Sequence, residues 1–205
     1  MGLYADIIFP RLMDWVMDSP RIREQRTLTL HEARGSVLEI GFGTGLNLPH
    51  YPRDVVWLTI LDPARFLPKR VTRRISSAYI PVEVVHQSAE RLAFEDRTFD
   101  CVVSTFTLCT IPDPLAALRE ARRVLKPGGL FLFLEHGRSD DPRVAKWQER
   151  LNPIQRVIGC GCQLNRPIDR LIRDAGFPLM RLERFVMSDV PRLAGEMYRG
   201  IAEKQ

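Results

Sequence analysis

The sequence predicts an α/β fold with a doubly wound, mostly parallel seven-stranded sheet and an antiparallel pair of strands at its C-terminal end. Short apolar segments alternate with helical patterns as far as about residue 137, which is typical of a parallel sheet. Two later apolar segments have only a Pro-containing loop between them, which favours antiparallel pairing. A chain of 205 residues is expected to form one domain with a sizeable core.

The predicted strands are short apolar segments bounded by turn residues or helical patterns. They cover 36–40, 55–61, 82–87, 99–105, 129–135, 179–187 and 196–204. The clearest helix lies between the fourth and fifth strands, where Asp113 can cap it, Pro114 suits its first turn and "KPGG" ends it. Further helices are predicted over 143–158 and 166–175, the second ended by Gly176.

The N-terminal segment 3–18 is rich in apolar residues and predicts a helix that caps a pocket, with Pro10 interrupting the run. Charged residues recur in it too often for burial in lipid, and no segment reaches the roughly 18 apolar residues of a membrane span. The start lacks the features of a signal peptide, and Asp6 stands where myristoylation needs Ser or Thr. Peripheral contact with a membrane stays open, but a span is not expected.

Charge and cysteine content predict a cytoplasmic protein that does not bind nucleic acid. The formal charge is +5, and basic residues are spread along the chain apart from short clusters such as "KRVTRR" (69–74). We expect that cluster on the exposed face of a helix, since scattered charge makes a weak electrostatic surface for nucleic acid. Four cysteines are too few for a disulfide scaffold in this chain, so the thiols are expected to be reduced.

The segment "VLEIGFGTGLNLP" (37–49) predicts a cofactor site. Its glycines directly follow a buried strand and are expected to lead into a helix, and such a turn lets the backbone pass close to a ligand. Glu39 lies in an otherwise apolar strand and needs a polar partner. Asp62 ends the second strand, where an acid can accept hydrogen bonds from both hydroxyls of a ribose. The glycine spacing differs from the G-x-G-x-x-G of NAD-binding turns.

The pattern Glu-x-Gly-x-Gly-x-Gly with a later acid resembles motif I of class I S-adenosylmethionine (SAM) methyltransferases. Segment 86–137 is similar to the part of those enzymes from the third strand to the fifth. The chain also resembles the methyltransferase-like family of small thiol S-methyltransferases, which shares "TLCTI" (107–111), "LEHG" (134–137) and "GCQLNR" (161–166). This resemblance spans about residues 35–204. It implies a Rossmann-like methyltransferase fold, SAM as cofactor and S-adenosylhomocysteine as product.

The glycine turn and the resemblance together give the candidate cofactor-binding residues. By resemblance, Ser88, Ala89 and Glu90 border the adenine, and Thr105 lies near the methionine part of SAM. The full set is Glu39, Gly41, Phe42, Gly43, Thr44, Gly45, Asn47, Asp62, Pro63, Ser88, Ala89, Glu90 and Thr105. A single methyltransferase domain is expected over 1–205, with an N-terminal cap region (1–34), a SAM-binding core (35–137) and C-terminal helices and closing strands (138–205).

The favoured acceptor is a small, apolar nucleophile, with a thiol first. In a doubly wound sheet the acceptor pocket lies beyond the carboxyl ends of the strands. Glu135 and His136, which end the fifth strand and are expected on the rim of the pocket, are therefore candidate catalytic residues, together with Tyr4 on the cap. For His136, a role on the acceptor or its proton competes with a structural hydrogen bond that holds the loop. Trp15 and Trp147 are expected to pack in the core or the lid.

Three other functions compete with this interpretation. A phospholipid amine is the alternative acceptor, because related small methyltransferases methylate phosphatidylethanolamine and the chain is basic with an apolar N-terminal segment. A nucleic-acid methyltransferase is less favoured, because "STFTLCTIPD" (104–113) lacks the Asn or Asp, Pro-Pro, aromatic pattern that stacks a flipped base. A SAM-binding regulator without turnover would release no S-adenosylhomocysteine with any acceptor.

Cys160 and Cys162, in "GCGCQLNRP" (159–167), are predicted to pack and not to bind metal. A structural zinc needs four ligands, and the sequence places no second cysteine pair or His in this segment. A disulfide across one intervening residue would be strained. A soft-substrate-binding thiol pair stays an alternative. We expect Cys162 to fill a small apolar site beside Leu164, and Arg166 to open the next helix. Cys160 has no counterpart in the family pattern.

Overall fold

A computed structural model of the protein describes residues 9–63 and 68–205. Its helices are α1 (Phe9–Val16), α2 (Pro20–Leu30), α3 (Lys69–Ser76), α4 (Pro114–Val124), α5 (Pro142–Ile158) and α6 (Ile168–Asp174). Its strands are β1 (Gly35–Ile40), β2 (Val55–Leu61), β3 (Val82–Val85), β4 (Phe99–Thr105), β5 (Leu125–His136), β6 (Leu179–Val186) and β7 (Glu196–Glu203). The predicted strands are therefore all present, with ends that differ by a few residues.

The strands form one seven-stranded sheet in the order β3-β2-β1-β4-β5-β7-β6. The five strands from β3 to β5 pair in parallel, whereas β7 pairs antiparallel with both β5 and β6. The predicted fold class is confirmed. The carboxyl ends of β1, β2 and β4 meet at one edge, because Ile40 lies opposite both Leu61 and Ser104.

Each face of the sheet is covered by helices, which makes the fold doubly wound. On one face, α4 and α6 pack through residues such as Leu118 and Ile172 against Val102 and Phe131. On the other face, Leu30 of α2 and Val71 of α3 belong to a second apolar cluster with strand residues such as Leu58. The strands read as nearly continuous apolar segments because both of their faces are buried.

The glycine turn does not lead into an α-helix, contrary to the sequence prediction. Only a single 3₁₀ turn, Leu48–His50, lies between β1 and β2. Pro52 disfavours a helical conformation at the residue before it, and Tyr51 is accordingly extended (φ −67°, ψ 137°). The helix α2, which the sequence analysis did not predict, contributes to this face of the sheet instead. Its start has a readable signal, since the Ser19 side chain accepts a hydrogen bond from the Ile22 backbone N–H and Pro20 follows.

Two other boundaries differ from the prediction. β5 begins at Leu125, because the "KPGG" segment that was expected to end α4 runs on into the strand with an irregular register against β4. α6 begins at Ile168, and Arg166 lies outside it. The cause is Pro167, which disfavours the helical conformation at the residue before it.

The described part of the N-terminal region docks beside the glycine turn. Asp14 of α1 forms an ion pair with Arg74 of α3 at 2.6 Å, and the same guanidinium donates to the Thr44 carbonyl at 2.7 Å. Part of the basic cluster at 69–74 therefore faces α1 and not only solvent. The side chain of Arg70 lies 3.6 Å from Asp14. Residues 3–8 of the predicted cap helix lie outside the described residues.

The expectation that Trp15 and Trp147 are packed is wrong. Trp15 is 78% exposed and Trp147 is 53% exposed, and the Trp147 ring instead lies under the Arg150 guanidinium at 5.4 Å. Within residues 9–63 and 68–205, no helix is both long and apolar enough to cross a membrane. The cytoplasmic location stays a prediction.

Candidate active site

The glycine turn that follows β1 adopts a backbone that side chains would disturb. Gly41, Gly43 and Gly45 have φ values of 72°, 57° and 78°, in the left-handed region that glycine enters without strain. A Cβ on Gly41 would also overlap the side chain of Thr107. The backbone N–H of Gly41 is bonded to the Leu61 carbonyl at 3.0 Å. The turn is thus held between the ends of β2 and β4, with its backbone open to a close ligand.

Asp62 directly follows β2 and reaches this turn. Its Oδ2 accepts a hydrogen bond from the Gly43 N–H at 3.0 Å, and the residue is partly exposed. Pro63 is exposed beside it. A carboxylate next to a glycine turn at the carboxyl edge of a parallel sheet can accept hydrogen bonds from the hydroxyls of a nucleotide ribose.

Below the turn, five polar side chains form a buried network. Glu39 accepts hydrogen bonds from Asn47 Nδ2 at 2.9 Å and from the Tyr51 hydroxyl at 2.7 Å. Asn47 Oδ1 and Thr105 Oγ1 both accept from Arg26, at 2.6 Å and 3.1 Å, and Asn47 Nδ2 also donates to Thr105 Oγ1 at 2.9 Å. The acid that the sequence places in an apolar strand therefore has its polar partners, and they join α2 to β1 and β4.

Burial shifts the pKa values of the acidic and the basic group in this network in opposite directions. It raises the pKa of Glu39 from 4.5 to about 7, although the hydrogen bonds from Tyr51 and Asn47 and the nearby Arg26 favour the carboxylate. It lowers the pKa of Arg26 to about 10, against the attraction of Glu39. Arg26 Nε is buried and has no hydrogen-bond partner among the described residues. Arg26 thus brings a desolvated positive charge to the edge where the strands end.

Glu135 is fully buried and does not lie on an open rim, which corrects the sequence-based placement. Its Oε1 accepts from Ser104 Oγ at 2.7 Å, and its Oε2 accepts from the Thr107 N–H at 2.9 Å. Burial raises its pKa, against these hydrogen bonds. Phe106 lies between Ser104 and Thr107 with a positive φ of 53°, which is uncommon for a residue with a side chain. Glu135 therefore holds the sharp turn that follows β4.

His136 ends β5 and meets two cysteines. Its Nε2 lies 2.9 Å from the Sγ of Cys162, and that sulfur lies 3.8 Å from the Sγ of Cys109. Cys162 therefore does not sit in an apolar site, contrary to the sequence prediction. The hydrogen bond to Cys109 and burial raise the pKa of the Cys162 thiol. His136 Nδ1 is buried without a hydrogen-bond partner in the described part of the chain, whereas Nε2 contacts the loop after α5 through the Cys162 side chain.

The residues expected at the adenine follow β3. Ser88 Oγ donates to Glu90 Oε2 at 2.8 Å, and Glu90 Oε1 accepts from the Asp113 N–H at 2.7 Å. Ala89 is buried in the core. The arrangement links this segment to the start of α4, whose N-cap is Asp113.

The remaining predicted residues fall into three positions. Phe42 is buried and packs within the apolar cluster under α2. Thr44 contributes the carbonyl that Arg74 binds. Tyr4 lies outside the described residues.

Sequence reasoning assigned no role to Arg26, Tyr51 or Cys109. Arg26 belongs to an unpredicted helix, and Tyr51 lies in the connection where a helix was expected. Cys109, His136 and Cys162 occupy "TLCTI", "LEHG" and "GCQLNR", three segments that carry the family resemblance. Their presence in these three segments is the signal from which the sequence could have predicted that the two cysteines and the histidine lie together.

A glycine turn after the first strand and an acid after the second, at the carboxyl edge of a sheet with this strand order, define a nucleotide-cofactor-binding α/β protein. The methyltransferase domain family matches residues 38–133. The chain is 36% identical over 154 residues to thiol S-methyltransferase TMT1B of Rattus norvegicus, covering 72% of this chain and 62% of that protein. It is 33% identical over 147 residues to phosphatidylethanolamine N-methyltransferase of Cereibacter sphaeroides, covering 70% of each.

The chain belongs to the class I SAM-dependent methyltransferases. This membership confirms the predicted family and its cofactor. Among solved structures, N-methyltransferase NodS from Bradyrhizobium japonicum, in complex with S-adenosylhomocysteine, shares the fold with a TM-score of 0.68 and 16% identity, covering 93% of this chain and 91% of that chain. The chain spans about 62% of the length of its rat relative.

Proposed function

We propose that this chain transfers the methyl group of SAM to a small thiol. The assignment of the cofactor site rests on the Asp62 carboxylate, which accepts a hydrogen bond from the Gly43 N–H of the glycine turn at 3.0 Å. In the proposed complex Asp62 binds the ribose hydroxyls, and Ser88, Ala89 and Glu90 border the adenine. Phe42, Thr44, Gly45 and Pro63 shape the turn around the cofactor.

The methionine end of SAM is proposed to lie toward Thr105. Arg26 lies 3.1 Å from Thr105 Oγ1 and supplies a buried cation there. A guanidinium is well suited to a carboxylate such as that of the methionine part. In this proposal Asn47 fixes Arg26 and Thr105 by hydrogen bonds. Glu39 in turn holds the Asn47 side chain.

The thiol acceptor is supported by the likeness to the rat thiol S-methyltransferase. Methyl transfer is an in-line displacement at the sulfonium, so the protein must hold the nucleophile close to the methyl in a pocket that excludes water. His136 is proposed to contact the acceptor, because its Nδ1 has no hydrogen-bond partner among the described residues. Glu135 is proposed as a positioning residue, since both of its oxygens hold the turn after β4. Tyr4 stays a candidate from the sequence.

The decisive experiment is a screen of thiols, amines and phospholipids for release of S-adenosylhomocysteine. Release with alkyl thiols supports the proposal, and release with none of the acceptors contradicts it and favours a SAM-binding protein without turnover. The cofactor site is tested by calorimetry. Asp62→Ala should weaken SAM binding by about 1–3 kcal/mol, the cost of leaving hydrogen-bond partners unmet. Asp54→Ala, at the exposed opposite end of β2, is the matched control and should bind SAM as the native chain does.

A phospholipid amine is the second candidate acceptor. It is favoured by the match to the phosphatidylethanolamine N-methyltransferase, which covers 70% of both chains. Leu12 and Trp15 of α1 are exposed and could contact a lipid surface. Vesicles with and without phosphatidylethanolamine separate the two candidates, since only a lipid amine methyltransferase would incorporate labelled methyl into the lipid.

A further inference from the structure

Three side chains that suit a soft metal ion converge beyond the carboxyl ends of β4 and β5. Cys109 lies in the connection from β4 to α4, His136 is the last residue of β5, and Cys162 lies in the loop after α5. Their ligand atoms, two thiol sulfurs and an imidazole nitrogen, all lie within 4.8 Å of one another. We call these three residues the thiol–imidazole cluster.

Two of the three distances in the cluster are close to those that one zinc ion requires, and the third is within 4.8 Å. Zinc binds sulfur at about 2.3 Å and imidazole nitrogen at about 2.0–2.1 Å, with tetrahedral geometry. Around one ion, two sulfurs then lie about 3.8 Å apart, and a sulfur and a nitrogen about 3.5 Å apart. The two Sγ atoms of Cys109 and Cys162 are 3.8 Å apart. The contact of His136 Nε2 with Cys162, 2.9 Å, needs to lengthen by about 0.6 Å, which a small rotation of a side chain achieves.

Backbone contacts hold the ligands in place before any ion binds. The Gln163 N–H donates to the Cys109 carbonyl at 2.9 Å, which ties the Cys162 loop to the Cys109 loop. Cys160, next in the loop, has a positive φ of 49°, a conformation that costs energy for a residue with a Cβ. Strain of this kind persists only where the surroundings impose it, and here it accompanies the turn that presents Cys162 to Cys109 and His136.

The charges also suit a divalent cation. Two thiolates offset the charge of one zinc ion, so the loaded cluster adds no net charge to a largely buried region. The positive charge of Arg166, whose guanidinium binds the Leu108 carbonyl, attracts two thiolates but repels a cation.

We propose that Cys109, His136 and Cys162 bind one zinc ion whose fourth position accepts the sulfur of the substrate thiol. Three protein ligands with one open position are the usual arrangement of catalytic zinc sites. The place in the fold agrees with this role, because Thr107, two residues before Cys109, contacts the carbonyl of Gly41 in the glycine turn at 3.3 Å. The zinc site stands on the geometry alone, whereas its role toward the acceptor rests on the proposed function.

The chemistry balances without an oxidant or reductant. Both cysteines release their protons to solvent when zinc binds. The acceptor thiol releases its proton when its sulfur occupies the fourth position. A lone pair of that sulfur then forms the new bond to the methyl carbon. The bond between the methyl and the sulfonium breaks, and its electron pair stays on the sulfur of S-adenosylhomocysteine.

The test measures zinc on the full chain, purified under reducing conditions, stripped with a chelator and reloaded. Mass spectrometry should find about one zinc per chain, and cobalt in its place should show thiolate-to-metal charge-transfer absorption. Cys109→Ser and Cys162→Ser should each weaken zinc binding at least tenfold. Cys160→Ser, two residues from Cys162 but outside the cluster, should bind zinc as the native chain does. Binding of S-adenosylhomocysteine checks that each variant is folded.

Either of two zinc measurements would overturn the site: no stoichiometric zinc in the folded chain, or native zinc affinity in the Cys109→Ser and Cys162→Ser variants. A Cys109–Cys162 disulfide in protein kept under reducing conditions would overturn it too. The role toward the acceptor is tested separately, by thiol turnover with and without zinc. Equal turnover in both would overturn that role and leave the proposed function standing. Zinc binding as expected with no thiol methylated would contradict the proposed function and support the zinc site alone.

Discussion

The Glu39→Gln variant should gain stability relative to the native chain as the pH rises. Glu39 is fully buried, and burial raises its pKa from 4.5 to about 7. In the folded chain the carboxyl group therefore keeps its proton at a pH where the unfolded chain has already lost it. Because the folded state binds more protons, the contribution of this group to stability is full below about pH 4.5 and is lost as the pH rises through about 7.

The size of the effect follows from the same two values. For a shift from 4.5 to about 7, linkage gives a loss of about 2.5 kcal/mol in the free energy of unfolding between about pH 5 and about pH 8. The glutamine side chain of the variant cannot titrate and does not contribute this loss. The attraction between the Glu39 carboxylate and Arg26 is already part of the pKa of about 7, and the variant also changes the hydrogen bonds with Tyr51 and Asn47. Those costs are nearly the same at both pH values, so they cancel in the difference.

Urea unfolding of the native chain and of Glu39→Gln at both pH values measures this difference. The stability of the variant minus that of the native chain should be about 2.5 kcal/mol more favourable at the higher pH. Glu24→Gln, at an exposed position of α2, controls for the loss of one negative charge. If the free energy of unfolding of Glu39→Gln differed from that of the native chain by the same amount at both pH values, the reasoning would be refuted. Ionisation of the buried carboxyl group would then not destabilise the folded state.

Three further predictions concern the turn, the cap and the loop after β5. Gly41→Ala should lower the free energy of unfolding by about 1–3 kcal/mol, since it adds left-handed strain and overlaps Thr107; an unchanged urea midpoint would contradict this. Deleting residues 1–18 should leave SAM binding measurable by calorimetry but lower turnover, and turnover equal to that of the full chain would rule out a cap. Gln148→Leu should cost about 2 kcal/mol in thermal unfolding, because the buried Gln148 side chain bonds the Ser139 N–H and the carbonyls of Gly137 and Leu193. The exposed Trp147→Phe control should change little.

The strands and the glycine turn could be predicted because their signals are local. Apolar runs such as 99–105 and 55–61 stand between turn residues, and the turn after β1 is one contiguous motif. Asp62 was placed by the same logic, as the residue that ends the next strand. These features depend on neighbours in the sequence, so no knowledge of the tertiary structure was needed.

The features that the sequence did not reveal depend on distant contacts. Arg26 and Thr105 are 79 residues apart, and Cys109 and Cys162 are 53 apart. Their meeting is set by how α2 and the loop after α5 pack on the sheet. The prediction for Trp147 failed for a different reason, since large aromatic residues favour burial only on average. Its ring lies on the outward face of α5 and is exposed.

The position of β7 in the sheet has a consequence for synthesis of the chain. This strand pairs with β5 on one side and with β6 on the other, and Lys204, directly after it, donates to the carbonyls of Arg123 and Leu125 at the end of α4. β6 thus emerges from the ribosome before the strand that attaches it to the sheet. Until β7 is made, one edge of β5 has no neighbouring strand. Ribosomes add about 5–20 residues per second, so this edge stays open for a short but real interval. A nascent chain stalled before Glu196 would expose the apolar edge of β5 to chaperones or to other chains.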